Sequence, residues 1–97
     1  MRQMNSPINR TEIIKQAKTV ELTSEDVMST SYYVYMDREA KGNILPFSGK
    51  LYKKRMGLMN ATKAAQEVSY LDDSFTFVKS GKTGKIVAVF IDGEEVE

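Results

Sequence analysis

Residues 75–93, FTFVKSGKTGKIVAVFIDG, are the stretch that decides the fold of this chain. Two segments within it, Phe75–Lys79 and Lys85–Ile91, are rich in aromatic and β-branched residues, which favour the pleated backbone of strands. Between them, Ser80–Gly84 contains two glycines that are free to adopt positive φ. The sequence therefore predicts a β-hairpin.

The end of this stretch indicates how the sheet is built. Ile86–Ile91 is apolar at every position, which is typical of a central strand covered on both faces. Asp92-Gly93 is a two-residue turn signal, and Glu94–Val96 is predicted to return as a short edge strand. Because these connections are hairpin-sized, we expect a mainly antiparallel sheet.

Two short helices are predicted near the start of the chain. Asn9 and Glu12 have the spacing of a capping box, and apolar residues follow at helical intervals, so a helix is expected over about residues 10–18. Thr23 and Asp26 have the same spacing and predict a further helical turn.

Three more segments have the alternation of strands. Ser31–Asp37 is the clearest of them, because its residues 32–35 are all aromatic or β-branched. Ile44–Phe47 is a candidate partner strand, and Pro46 within it restricts that strand to the edge of a sheet. Lys50–Met56 also alternates, between two glycines that keep it short.

One central helix is predicted over about residues 61–70, with Asn60 as its N-cap. Small and apolar side chains recur there at helical spacing and are expected to form the buried face. They are Ala61, Ala64, Ala65, Val68 and Leu71.

The predicted fold class is α+β: one small domain with a mainly antiparallel sheet of about four strands, a short N-terminal helix and one central helix. Residues 1–9 are expected to be a flexible N-terminal arm, and residues 10–97 a single domain with an acidic C-terminal end. Since only one long helix is available to cover the sheet, one sheet face is expected to remain exposed, for a ligand or a second copy of the chain.

Composition excludes several function classes. The 97 residues include no cysteine and no histidine, so the chain offers no thiolate or imidazole to a metal, no cysteine nucleophile and no histidine general base. No cluster of acids points to catalysis. We therefore expect no enzyme activity, no cofactor and no metal site. The chain also lacks a secretion signal and an apolar run long enough to span a membrane, which predicts a cytoplasmic protein.

The net charge of +1 hides an uneven distribution. Residues 49–85 carry eight basic and three acidic side chains, whereas the only charged residues in 86–97 are four acids. A basic middle and an acidic end favour a role in binding.

The basic segment, residues 50–55, has the sequence Lys-Leu-Tyr-Lys-Lys-Arg. In an extended strand its tyrosine and two lysines share one face, on which a base can stack while the lysines meet phosphates. With the basic hairpin tip, residues 79–85, it predicts nucleic-acid binding. The candidate residues are Lys50, Tyr52, Lys53, Lys54, Arg55, Lys82 and Lys85. The alternative is that these lysines only protect an edge strand from aggregation.

A second hypothesis is that the chain is a small inhibitor or adaptor that binds another protein and can act as a homodimer. Tyr33 and Tyr35 fall on one strand face, where tyrosines suit interfaces as well as ordinary packing. Met56 and Met59 form a flexible apolar patch that suits a partner or the core. The acidic end is a further candidate contact.

Met59-Asn60-Ala61-Thr62-Lys63 resembles the Asn-Ala-Thr-Lys segment of KilA-N DNA-binding domains. The resemblance covers five residues, and the tryptophan that often follows in that family is absent. An asparagine that caps a helix accounts for the same residues, so no family is assigned.

Overall fold

The structure is a computed structural model, which describes residues 10–37, 45–46, 56–71 and 75–96. The helices of this part of the chain are α1 (Arg10–Thr19), α2 (Ser24–Met28) and α3 (Leu58–Leu71). Its strands are β1 (Tyr32–Asp37), β2 (Leu45–Pro46), β3 (Phe75–Ser80), β4 (Ile86–Ile91) and β5 (Glu94–Glu95). The predicted α+β class is confirmed.

The strands form one sheet in the order β2-β1-β3-β4-β5, and every neighbouring pair is antiparallel. The two-residue strands β2 and β5 lie at its edges, as the proline in β2 predicts. Ile86–Ile91 (β4) is an interior strand between β3 and β5, with α1 on one face and α3 on the other, as its apolar residues predict. On the other side of β3, β1 pairs with β3 along its whole length, from Tyr32 opposite Ser80 to Asp37 opposite Phe75.

Helix α2 begins as its sequence predicts. The Thr23 hydroxyl accepts a hydrogen bond from the Asp26 N–H (3.2 Å), and the Asp26 carboxylate accepts one from the Thr23 N–H (2.9 Å). This reciprocal pair is a complete capping box, which satisfies two backbone donors at the start of the helix.

Helix α3 begins earlier than predicted. The Ala61 N–H donates to the carbonyl of Gly57 (2.9 Å), so helical hydrogen bonding starts at Gly57. Asn60 lies within the first turn, and its prediction as an N-cap is wrong. The predicted buried face is correct except for Leu71, which is 70% exposed at the last helical residue.

The two sheet faces carry separate cores. On one face α3 packs against β1, β3 and β4, and the Thr76 hydroxyl donates to the buried carbonyl of Ala65 (2.7 Å). On the other face α1 packs against β4 and buries Ile13 completely. The cluster around Ile13 contains Phe75, Phe77, Ile86 and Val89. The expectation of one fully exposed face is therefore wrong, because α1 covers the β4 half of that face.

The loops confirm one turn prediction and correct another. Asp92 (φ 52°) and Gly93 (φ 84°) both adopt positive φ, as a two-residue hairpin turn requires. In the longer loop only Gly84 does so (φ 78°). Gly81 is required for a different reason: a Cβ there would lie 2.5 Å from Cε2 of Tyr33.

Candidate nucleic-acid interface

The basic segment, residues 50–55, lies outside the described residues, so Lys50, Tyr52, Lys53, Lys54 and Arg55 remain predictions. The described residues that flank it both lie on the outer edge of β1. Pro46 pairs with Tyr35, and Met56 exchanges two backbone hydrogen bonds with Tyr32 (3.0 and 3.2 Å). Pro46 and Met56, the described residues on either side of the basic segment, therefore lie along the same edge of β1.

Lys85, a predicted phosphate contact, is held by an internal acid. Its ammonium donates to the Asp26 carboxylate (2.7 Å) and to the Glu21 carbonyl (3.2 Å). The Lys85 hydrogen bond, followed by that of the Thr23 N–H, lowers the pKa of Asp26 to about 2. The Asp26–Lys85 pair ties α2 to the β3–β4 hairpin, and a phosphate at Lys85 would have to displace a buried carboxylate.

Tyr32 belongs to the same internal cluster. Its side chain is fully buried, and its hydroxyl donates to the Asp26 carbonyl (2.8 Å). Burial, and next the nearby negative charge of Asp26, raise the pKa of this phenol. Tyr32 therefore stays neutral and serves as a hydrogen-bond donor within the fold.

Lys82, the other predicted lysine of the tip, is differently placed. Its ammonium lies 3.5 Å from the Glu25 carboxylate, but these side chains are 65% and 85% exposed. Solvent and salt screen such a pair, which contributes on the order of 0–1 kcal/mol. Lys82 is accordingly accessible to an anionic ligand at little cost.

Tyr33 and Tyr35 are half-buried on the α1 side of the sheet, and Tyr35 packs against the cluster around Ile13. Tyr33 pairs with Lys79, and Tyr35 pairs with Phe77. The Tyr35 and Phe77 rings stack with centroids 5.4 Å apart, and the Lys79 ammonium lies 5.9 Å from the centroid of Tyr35. We name the surface formed by Tyr33, Tyr35, Lys79 and Lys82 the tyrosine–lysine face.

Sequence reasoning identified the members of this face but assigned them to different functions. Tyr33 and Tyr35 were expected at a protein interface, and Lys79 only as part of the hairpin tip. Their proximity depends on the register between β1 and β3, which are separated by a helix and an edge strand in the sequence. The alternation of Tyr33 and Tyr35 was the only local signal.

The predicted methionine patch is divided between two environments. Met59 on α3 is 71% exposed, whereas Met56 is half-buried against the core under α3. On the neighbouring helix α2, Met28 is 81% exposed and Val27 is also exposed. Val27, Met28 and Met59 are thus exposed apolar side chains on α2 and α3, two helices in contact.

Within residues 10–37, 45–46, 56–71 and 75–96, no group of three or more acidic side chains is placed to hold a metal ion. The helices of this part are also too short or too polar to cross a membrane. Comparison with known proteins found no matching family model, no matching curated protein and no matching solved structure.

Proposed function

We propose that the protein is a non-catalytic module that binds single-stranded nucleic acid, DNA or RNA, through the tyrosine–lysine face. The observation that carries the proposal is the position of the Lys79 ammonium, 5.9 Å from the Tyr35 ring, beside a second half-exposed ring on the same sheet face. Cations that alternate with aromatic rings suit a strand of unpaired bases, since the rings accept bases and the cations meet phosphates.

Unpaired bases are favoured over a duplex for a physical reason. A base within a duplex is stacked on its neighbours and cannot lie on a tyrosine, whereas a single strand can place its bases outward. Each base stacked on an aromatic side chain contributes roughly 1–3 kcal/mol by alanine substitution, with little dependence on sequence. Because the Tyr35 ring is already stacked on Phe77, Tyr33 is the proposed stacking residue, and one such contact supports weak, general binding.

The basic segment, residues 50–55, is a separate part of the proposal. It supplies four cations and a tyrosine in six residues. Reversal of two charges, Lys53→Glu with Lys54→Glu, tests this part alone. We expect oligonucleotide affinity to fall at low salt; unchanged affinity would remove the segment from the proposal and leave the tyrosine–lysine face in it.

The main experiment is fluorescence anisotropy with labelled single-stranded and duplex oligonucleotides at low and moderate salt. We expect Tyr33→Ala to weaken single-strand binding by roughly 5- to 100-fold, the range that loss of one stacked base implies. Tyr70→Ala is the matched control, because Tyr70 is an exposed tyrosine at the far end of α3. Lys79→Gln, with Lys63→Gln on α3 as control, tests the cation in the same way.

The absence of binding to every oligonucleotide at low salt would contradict the proposal. Equal losses for Tyr33→Ala and Tyr70→Ala would contradict the choice of surface. Circular dichroism of each variant separates a binding defect from a folding defect.

Protein binding is a second candidate function, supported by the exposure of three apolar side chains, Val27, Met28 and Met59. Methionine and valine side chains are usually buried. Where exposed apolar side chains form a patch, the patch marks an interaction surface. This function predicts a defined partner, or a second copy of the chain, that remains bound after nuclease treatment. Sizing of the wild type against Met28→Lys tests the homodimer, and loss of a partner with the nucleic acid would count against this candidate.

A further inference from the structure

A recess of about 360 Å³ lies where the first part of β1 meets the β3–β4 loop. The described residues that line it are Thr30, Ser31, Tyr33, Gly81 and Lys82. We infer that this recess binds one nucleotide unit, with its base against the Tyr33 ring and its phosphate at the Lys82 ammonium. The inference rests on the proposed function and names the part of the surface that holds a single nucleotide.

Hydrogen bonds fix the walls of the recess before any ligand binds. The Gly81 N–H donates to the Ser31 carbonyl (2.7 Å), which ties the loop to the residue before β1. The hydroxyls of Ser29 and Ser31 are also bonded to each other (2.8 Å). Because these groups are already ordered, little conformational entropy is lost when a ligand binds, which favours affinity.

Gly81 fixes the position of the aromatic wall. The Tyr33 ring lies so close to Gly81 that a Cβ at this position would come within 2.5 Å of Cε2 and 3.1 Å of Cδ2. The same Cβ would lie 3.1 Å from the Ser31 carbonyl oxygen. One edge of the ring is thus packed against the loop, and the ring is held as a wall of the recess.

The polar groups of the lining match the remaining parts of a nucleotide. The hydroxyls of Thr30 and Ser31 each provide one donor and two acceptor sites, which suits the polar edge of a base. The bond between Ser29 and Ser31 uses only part of this capacity. Among the described residues of the lining, Lys82 supplies the positive charge, and its exposed pair with Glu25 at 3.5 Å is easily exchanged for a phosphate.

The backbone of the loop excludes a simple phosphate site. The N–H groups of Lys82 and Thr83 both donate to the Ser80 hydroxyl (3.2 and 3.1 Å), and the Gly84 N–H donates to the Ser80 carbonyl (2.9 Å). Because these N–H groups already donate hydrogen bonds within the turn, they do not form an anion-binding nest. Among the described residues, phosphate alone therefore meets the Lys82 side chain and no free backbone N–H of the loop, so recognition requires the base.

Backbone amide spectra of the ¹⁵N-labelled protein, titrated with a mononucleotide, the matching nucleoside, inorganic phosphate and a short single-stranded oligonucleotide, test the inference. We expect the mononucleotide and the oligonucleotide to shift the amides of Ser31, Gly81 and Lys82. The internal control is the pair of amides of Gln66 in α3 and Gly93 in the β4–β5 turn, which are joined by a hydrogen bond from the Gln66 side chain to the Gly93 carbonyl (2.9 Å). Phosphate at the same concentration should leave Ser31 and Gly81 unchanged.

Two variants separate the base from the phosphate. Lys82→Gln should weaken mononucleotide binding by roughly 3- to 10-fold and leave nucleoside binding unchanged. Tyr33→Leu should weaken both ligands to a similar extent. Lys63→Gln replaces an exposed lysine on α3 and should change the affinity for neither the mononucleotide nor the nucleoside.

Failure of this inference is distinguishable from failure of the proposed function. If the oligonucleotide binds but shifts no amide of the recess, the inference is wrong and the proposed function stands. If phosphate produces the same shifts as the mononucleotide, base recognition is wrong. If no nucleic-acid ligand binds at all, both the inference and the proposed function are wrong. The amide spectrum of Lys82→Gln, unchanged outside the recess, then shows that this variant is folded.

Discussion

Lys85 binds Asp26 although 59 residues separate them in the sequence. The contact joins the end of the hairpin loop to α2, and α2 carries the capping box that holds the Asp26 carboxylate in place. The carboxylate thus accepts hydrogen bonds from Lys85 and from the Thr23 N–H and hydroxyl. These hydrogen bonds stabilise the carboxylate relative to the protonated carboxyl group and so lower its pKa.

The depressed pKa of Asp26 sets an acid limit on stability. Its pKa is about 2 in the folded protein, against the usual 3.8 of an aspartate side chain. A carboxyl group whose folded pKa is lowered stabilises the fold above its unfolded pKa, and this contribution is lost as the pH falls through the folded pKa. We therefore expect the urea midpoint of the wild type to fall between about pH 4 and pH 2.

Asp26→Asn tests this acid dependence. The variant should have a lower urea midpoint than the wild type at pH 7 and a shallower decline below pH 4, because it has no charge to lose there. Glu25→Gln is the matched control on the same helix, and it should retain the wild-type decline. A decline in Asp26→Asn as steep as in the wild type would assign the acid limit to other carboxylates.

Gly81 is the residue at which one added methyl group is most informative. In Gly81→Ala the new Cβ meets the Tyr33 ring and a backbone oxygen, and relief requires a shift of the ring or the loop. We expect a loss of about 1–3 kcal/mol in the free energy of unfolding, as for other overpacked positions. Chemical denaturation measures it, and the same variant should narrow the nucleotide recess.

Gly57→Ala provides the comparison for Gly81→Ala. Its Cβ would lie 3.9 Å from the Ser29 carbonyl oxygen, an ordinary contact distance. Only the difference between glycine and alanine at a helix start remains, which is below about 1 kcal/mol. Equal stabilities of the two variants would show that the close approach of Tyr33 and Gly81 is not a constraint.

Helix α1 is attached to the sheet by one charged residue in addition to its apolar face. The Arg10 guanidinium donates through Nε to the Asp37 carboxylate (2.9 Å) and through Nη2 to the Asp37 carbonyl (2.6 Å). It also lies 4.8 Å from the centroid of the Phe75 ring. Asp37 is almost fully buried at the end of β1, so this pair joins the first turn of α1 to two strands.

Arg10→Ala should therefore loosen α1 more than the rest of the fold. We expect a loss on the order of 1–3 kcal/mol, less than the 3–5 kcal/mol typical of a fully buried pair because Arg10 is about one-third exposed. Hydrogen exchange should accelerate in α1 before it does in β3. Arg10→Lys keeps the charge but loses the planar two-nitrogen geometry. Its free energy of unfolding should therefore lie between those of the wild type and Arg10→Ala.

Elements with local signals were predictable from the sequence. The capping box of α2 lies within four residues, and the alternation of β1 and the apolar run of β4 are visible in short windows. The start of α3 was not predictable in this way, because Asn60 is the better cap by residue type while Gly57 occupies the capping position. The competing signals lie three residues apart.

The arrangement of the whole molecule was only partly predictable. No local pattern shows that α1 covers β4, that β1 lies beside β3, or that Lys85 is engaged by Asp26. Each depends on contacts between residues distant in the sequence. For this reason sequence reasoning counted Lys82 and Lys85 as equivalent cations, whereas the structure gives one an exposed pair and the other a buried pair.

Charge acts at the scale of the whole molecule through the salt dependence of binding. For single strands, each phosphate contact contributes about 0.7 to the slope of log affinity against log salt. We expect Lys79→Gln or Lys82→Gln to reduce this slope by roughly 0.7 each, and Lys63→Gln to leave it unchanged. Anisotropy over a range of salt concentrations measures it, and an unchanged slope in all three variants would place the phosphates elsewhere.

The packing of α1 on β4 also orders events during synthesis on the ribosome. Residues 10–19 emerge first, but their partner strand is residues 86–91. At about 5–20 residues per second, the wait between them is roughly 3 to 13 seconds. Over that interval the apolar side chains of α1 have no native surface to cover them. A nascent chain stalled before residue 86 should consequently bind chaperones, and one extended well past residue 96 should release them.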